Sequence, residues 1–160
     1  MKKVALLGAT GFVGSALLQE ALDRGHVVTA IVPDPKKLEE RDGLTAKAGD
    51  VYDTTSLATL IRGNDAIISA FNPGWNNPNI HDDQVRGTAS IIAAIKQAGI
   101  KRVLWVGGAG GLEVEPGVRW VDSPNMPDFA SPARWRRSMP WTNCETSLKL
   151  NGPTCARRPI

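Results

Sequence analysis

Hydrophobic positions along the chain follow two habits. Short apolar runs end in glycine, proline or a polar turn, and the longer stretches between them repeat their apolar residues at helical spacing. Val4–Leu7 reads as a buried strand that stops at Gly8. Phe12–Arg24 reads as a helix with Val13, Leu17 and Ala21 on one face and Gly25 as its stop. Val27–Val32 is a second strand, closed by Pro33-Asp34-Pro35, with a short helix over Lys36–Glu40 after it. Leu44–Ala48 is a weaker third strand, and Thr54–Arg62 a helix with Asp53 or Thr54 as N-cap. Ala66–Ala70 is a fourth strand, followed by a loop over 72–79 dense in Asn, Pro and Gly. Asp82–Ala98 is an amphipathic helix with Val85, Ala89, Ile92 and Ile95 on its core face, ended by Gly99. Val103–Val106 is the fifth strand.

Strands alternating with helices predict an α/β fold: a doubly wound parallel sheet of about five strands, ordered 3-2-1-4-5, with helices on both faces. The pattern weakens from Leu112 to Met126 and fails beyond. Residues 1–127 therefore read as one domain and 128–160 as a tail without helical or strand period.

Composition narrows the classes. A chain of 160 residues suits one domain, and 42% hydrophobic with 22% charged residues excludes a disordered polymer. No apolar run is long enough to cross a membrane as a helix. Cys144 and Cys155 are too few for a disulfide framework, and with two histidines no metal site is expected. The net charge of +3 would hint at nucleic acid, but it is unevenly placed. Residues 1–127 hold 13 Lys+Arg against 14 Asp+Glu, whereas 128–160 hold 6 against 2. The body is slightly acidic, so no nucleic-acid partner is expected. Lys2 and Lys3 before an apolar stretch imitate a secretory leader, but Gly8, Gly11 and Gly14 interrupt it and no small-residue cleavage site follows. A cytoplasmic protein is the expectation.

The chemistry lies in the glycines. Gly8-Ala9-Thr10-Gly11-Phe12-Val13-Gly14 leaves the first strand and opens the first helix. The spacing is G-x-x-G-x-x-G, with the mechanics of a dinucleotide-binding turn. Gly8 permits a tight turn, Gly11 lets the backbone approach a pyrophosphate, and Gly14 allows close helix–strand packing. The free amides of the helix start then face the phosphates. After the second strand, Asp34 sits in a proline turn, and Lys36 and Lys37 are within reach of a phosphate or simply solvated. An acidic residue there favours NAD and a basic one NADP. Asp50, after Gly49, is placed to accept from an adenine amino group, while the Val51 amide donates to the ring. Ala70, Phe71 and Asn72 leave the fourth strand at the ligand edge of the sheet, and Gly107 and Gly108 leave the fifth beside the nicotinamide region. No Tyr-x-x-x-Lys pair exists, Tyr52 being the single tyrosine, so no catalytic residue is assigned.

On these segments the body resembles the atypical short-chain dehydrogenase/reductase group of NAD(P)H-binding proteins, similar to NmrA-like and flavin-reductase-like members. The matching stretches are Val4–Gly14 (VALLGATGFVG), Val28–Leu38, Ala48–Asp53 (AGDVYD), Asp65–Ala70 and Arg86–Gly111. The resemblance implies a Rossmann-like fold and an NAD(P)H-dependent oxidoreductase acting on a small-molecule acceptor. It carries cofactor roles to Gly8, Thr10, Gly11, Phe12, Val13, Gly14, Asp50 and the Ala70–Asn72 loop. Such proteins often have Arg where this chain has Pro33, and that Arg contacts the NADP phosphate. NADP(H) is therefore only slightly favoured over NAD(H).

The tail departs from that group, which continues with a helix and a sixth strand resembling Trp-Thr-Tyr-Leu-Arg-Pro. Reading the last base of each codon with the first two of the next permits that sequence across 151–157. The same shift permits Leu-Asp-Glu-Leu-Arg across 140–145. The expectation is a frame slip between about Met126 and Arg134, a poorly ordered tail, and a sheet cut short before its sixth strand. An exposed edge of that kind would favour self-association.

Overall fold

The computed structural model describes residues 1–108, 112–120 and 123. Five parallel strands form one sheet: β1 (Lys3–Leu7), β2 (Val27–Val32), β3 (Leu44–Ala48), β4 (Ala66–Ser69) and β5 (Val103–Trp105). Their order is β3-β2-β1-β4-β5, as the alternation predicts. Helix α1 (Phe12–Asp23) joins β1 to β2, α2 (Thr54–Ile61) joins β3 to β4, and α3 (Ile80–Ala98) joins β4 to β5. The architecture is a Rossmann-like α/β fold.

The central strand β1 is buried along Val4–Leu7, which is why it reads as a continuous apolar run. Its side chains alternate between two cores. Leu6 packs with Val28, Ala30, Val32 and the α1 residues Leu18 and Ala21. Ala5 and Leu7 pack with Ile31, Ile67 and the helical residues Leu57, Ile61, Ile91 and Ile95. Each fully buried aliphatic side chain contributes about 1.5–3 kcal/mol, so these two layers hold the sheet.

Three helical expectations need correction. On α1 the buried residues are Gly14, Leu18 and Ala21, while Val13 is 45% exposed. The inward stripe is rotated because Gly14 must lie against the chain leaving β1. On α3 the buried stripe includes Gly87, Thr88, Ser90, Ile91, Ala94 and Ile95, while Val85 and Ala89 are exposed. That helix packs against α2 through small residues, and Ser90 Oγ shares a 2.8 Å hydrogen bond with Thr54 Oγ1. Lys36–Glu40 is no helix: a single 3-10 turn spans Pro35–Lys37, and Leu38 is already extended.

The α1 face is covered unevenly. Leu6, Ile68 and Leu104 share one register across β1, β4 and β5. Leu6 is fully buried, Ile68 half-buried and Leu104 53% exposed. Among the described residues no strand pairs with the outer edge of β5. A separate antiparallel hairpin, β6 (Glu113–Glu115) with β7 (Val118–Arg119), was not predicted; it turns through Gly117 at φ +77°. The expectations for 128–160 lie outside the described residues.

Candidate cofactor site

β2 lies on one side of β1 and β4 on the other, so the strand order reverses between them. Ligands of open α/β sheets bind at the carboxyl ends of strands at such a switch point. The chain leaves β1 there through Gly8, at φ +78°. A Cβ on Gly8 would come within 2.5 Å of the Ala70 carbonyl oxygen, and one on Gly14 would overlap the Gly8 carbonyl. The chain's own backbone thus dictates both glycines. Gly11 is different: its Cβ would meet only Gly8 O, at 3.3 Å.

Gly11 N donates to Gly8 O at 3.0 Å, and Ser15 N makes the first helical bond, to Gly11 O at 2.8 Å. The amides of Phe12, Val13 and Gly14 lie ahead of that bond and have no helical acceptor. No side chain caps the helix, and its first turn holds no acidic residue. The positive end of the helix is therefore unneutralised and suited to an anion. The Phe12 ring is 96% exposed, so what Phe12 offers is its backbone N–H. Thr10 is exposed on the same turn.

Pro33, Ala48, Gly49, Asp50 and Tyr52 line an open pocket of about 520 Å³ at the ends of β2 and β3. A Cβ on Gly49 would strike Ile31 and Leu60 at 2.6 and 2.8 Å. Asp50 Oδ1 accepts from Tyr52 N at 2.9 Å, and Val51 packs against the core. Asp34 is engaged elsewhere, since its Oδ1 accepts from Lys36 N at 3.1 Å and caps the 3-10 turn. Lys36 and Lys37 are exposed on that turn.

Sequence reasoning missed the cluster behind this pocket. Tyr52 and Phe71 meet edge to face, with centroids 6.0 Å apart at 87°. The Arg86 guanidinium carbon lies 4.2 Å from the Tyr52 ring centroid. Gly87 makes the room, since a Cβ there would overlap the Phe71 ring. Burial raises the Tyr52 pKa above its ordinary value, and the nearby Asp83 charge adds to this against the opposing effect of Arg86. The available signal was a glycine inside an otherwise strong helix.

At the β4 end, Ala70 N donates to Leu7 O at 3.0 Å, and Asn72 Oδ1 accepts from Gly74 N at 2.8 Å. Ser69 is fully buried, and its Oγ has no hydrogen-bond partner among the described residues. Gly107 and Gly108 follow β5 and are exposed, while the rest of that glycine run, 109–111, lies outside the described residues. The structure thus joins Gly14 to Gly8 and Gly8 to Ala70, and Pro33 to Asp50. No group of metal-ligating side chains occurs among the described residues. No described helix is long and apolar enough to cross a membrane.

A parallel sheet whose switch-point turn demands glycine at Gly8 and Gly14 defines a class: the nucleotide-binding α/β domains. A family model described as NAD(P)H-binding matches residues 8–138, and the chain belongs to that family. It is 36% identical over 127 residues to the uncharacterized protein YwnB of Bacillus subtilis, covering 78% of this chain and 57% of that protein. A solved structure from Bacteroides thetaiotaomicron, a candidate epimerase, is 46% identical with a TM-score of 0.71, covering 79% of this chain and 56% of that one. A candidate NADH–flavin reductase from Streptococcus pneumoniae is 28% identical with a TM-score of 0.69, covering 94% of this chain and 69% of that one. The chain therefore spans little more than half the length of the first two.

Proposed function

We propose that this domain binds NAD(P)H along the carboxyl edge of β1 and β4 and serves hydride transfer to a small acceptor such as a flavin or quinone. The observation that carries the reading is Gly11. It stands at an uncapped helix start, and unlike Gly8 and Gly14 its lack of a side chain is only weakly demanded by the chain itself. An anion approaching the backbone supplies the missing reason. The cofactor, when bound, supplies the hydride chemistry.

In this reading Gly8, Thr10, Gly11, Phe12, Val13 and Gly14 surround the pyrophosphate, with the amides of residues 12–14 as donors. Pro33, Asp50 and Val51 take the adenosine end. Ala70, Phe71, Asn72, Gly107 and Gly108 orient the nicotinamide. Lys36 and Lys37 are exposed on the same turn as Asp34, two positive charges to one negative near the ribose, which supports NADP(H) over NAD(H). We place the protein in the cytoplasm, free of membrane and nucleic acid, and infer self-association through the β5 edge. We take residues 128–160 as out-of-frame; reading the gene decides this, and an alternative frame lacking Trp-Thr-Tyr-Leu-Arg-Pro ends the idea.

One observation favours a second reading, a module that senses NAD(P) without turnover. The single tyrosine, Tyr52, lies under Arg86 and is no part of a Tyr-x-x-x-Lys pair. Titration with NADPH and NADH, followed by an acceptor screen, separates the two. Binding with turnover supports the oxidoreductase, and binding without turnover the sensor. Failure to bind either nucleotide overturns both and leaves an inactive remnant.

A further inference from the structure

We propose that Tyr52 is a cofactor-binding residue of the adenosine pocket, and that Arg86 is the positioning residue that fixes its ring. The inference rests on the cofactor reading above and adds the residue that gives the pocket an aromatic wall. Tyr52 lines the pocket together with Pro33, Ala48, Gly49 and Asp50. Its backbone N–H holds the Asp50 carboxylate at 2.9 Å, so one residue shapes the wall and aims the acceptor.

The ring is gripped from two elements besides its own turn. It belongs to the turn between β3 and α2, Phe71 at the β4 exit meets it edge on, and Arg86 of α3 covers it at 4.2 Å. Arg86 is itself tied by Nη2 to Asp83 Oδ1 at 3.1 Å, and Asp83 Oδ2 accepts from Asn77 Nδ2 at 2.8 Å. Gly87 clears the space, since a Cβ there would sit 3.3 Å from Tyr52 Cε1. The Phe71 and Arg86 contacts offset the rotamer entropy of fixing the ring, so it is held in place at the pocket before any ligand arrives. A fixed aromatic wall beside a carboxylate and a free amide suits a purine, which offers a flat apolar face and a hydrogen-bonding edge.

A purely structural staple between α3 and the β3–α2 turn would look similar, so the test separates the two halves of the cofactor. Affinity is measured for NADH, NADPH, AMP and reduced nicotinamide mononucleotide, with melting temperature followed in parallel. Tyr52→Ala is expected to weaken AMP and dinucleotide binding by about tenfold, as for loss of one base–aromatic stack, and to weaken the mononucleotide, which meets Phe71 and not Tyr52, by less than twofold. Tyr52→Phe, which keeps the aromatic face, recovers most of the affinity that Tyr52→Ala loses. Arg86→Met, at an exposed position that spares the fold, weakens AMP about threefold, and Arg86→Lys restores part of it. Unchanged AMP affinity in both Tyr52→Ala and Arg86→Met overturns the proposal. Equal weakening of AMP and the mononucleotide also overturns it, because a staple would act on both. A wild-type chain that binds neither dinucleotide overturns the cofactor reading beneath it, a result distinguishable from either.

Discussion

Alanine at Gly11 and alanine at Gly14 should fail in opposite ways. At Gly11 the added methyl meets only Gly8 O at 3.3 Å, and the backbone there, φ −81° and ψ 168°, is open to any residue. Alanine is a poorer N-cap than glycine by about 0.5–1 kcal/mol. For a domain of this size that lowers the melting temperature by about 1–4 °C. In the proposed binding mode the same methyl stands where a pyrophosphate approaches the amides of residues 12–14. Losing one charge-assisted hydrogen bond costs about 1.5–3 kcal/mol, or about tenfold to a hundredfold in affinity. At Gly14 the methyl would overlap the Gly8 carbonyl, which is backbone and held by the bond from Gly11 N. That overpacking should cost about 3 kcal/mol or more of stability. Melting curves and nicotinamide-fluorescence titrations on both variants give the comparison. A Gly11→Ala protein with wild-type affinity, or a Gly14→Ala protein with wild-type melting, would refute the reasoning. Gly11→Arg should abolish binding outright.

Three further outcomes are expected. Replacing Lys36 and Lys37 together by alanine should weaken NADPH more than NADH, most clearly at low salt; equal loss would remove the lysines from the ribose site. Leu104→Lys should shift sedimentation toward the monomer without lowering the monomer's melting temperature, and unchanged association would clear the β5 face of that role. Tyr52 has its pKa raised on folding, so its contribution is intact below the unfolded value of about 10 and is lost as pH rises through the folded one. Stability should therefore fall above about pH 10, less steeply in Tyr52→Phe. As the chain's single tyrosine, its phenolate absorption reports this ionisation alone; an ordinary titration midpoint would contradict the environment described.

What could be read from the chain was set by how each element is buried. β1 and β2 are apolar over consecutive residues because helices cover both their faces, and such runs are unambiguous. The glycine turn was legible because its spacing and its strand–helix setting coincide. The helical faces were misread where burial goes to small or polar residues. Gly14 is inside because a backbone must pass beside it, and Ser90 because Thr54 of α2 meets it. Neither cause appears in a hydrophobic period. The Tyr52 cluster was hidden for a related reason. Its members are far apart in sequence, and Gly87, which lets them meet, marks its role by the absence of a side chain.

The turn after β1 has a consequence for how the site can change over evolutionary time. Where Gly8, Gly14 and Ala70 meet, main chain touches main chain with no side chain between. The spacing between the helix start and the β4 exit is thereby set by peptide dimensions, not by the size of any exchangeable group. Core substitutions can drift around it, trading volume between layers, without widening or narrowing that gap. In the proposed cofactor site, adjustment to the ligand is left to the rim, at residues such as Pro33, Tyr52 and Asn72.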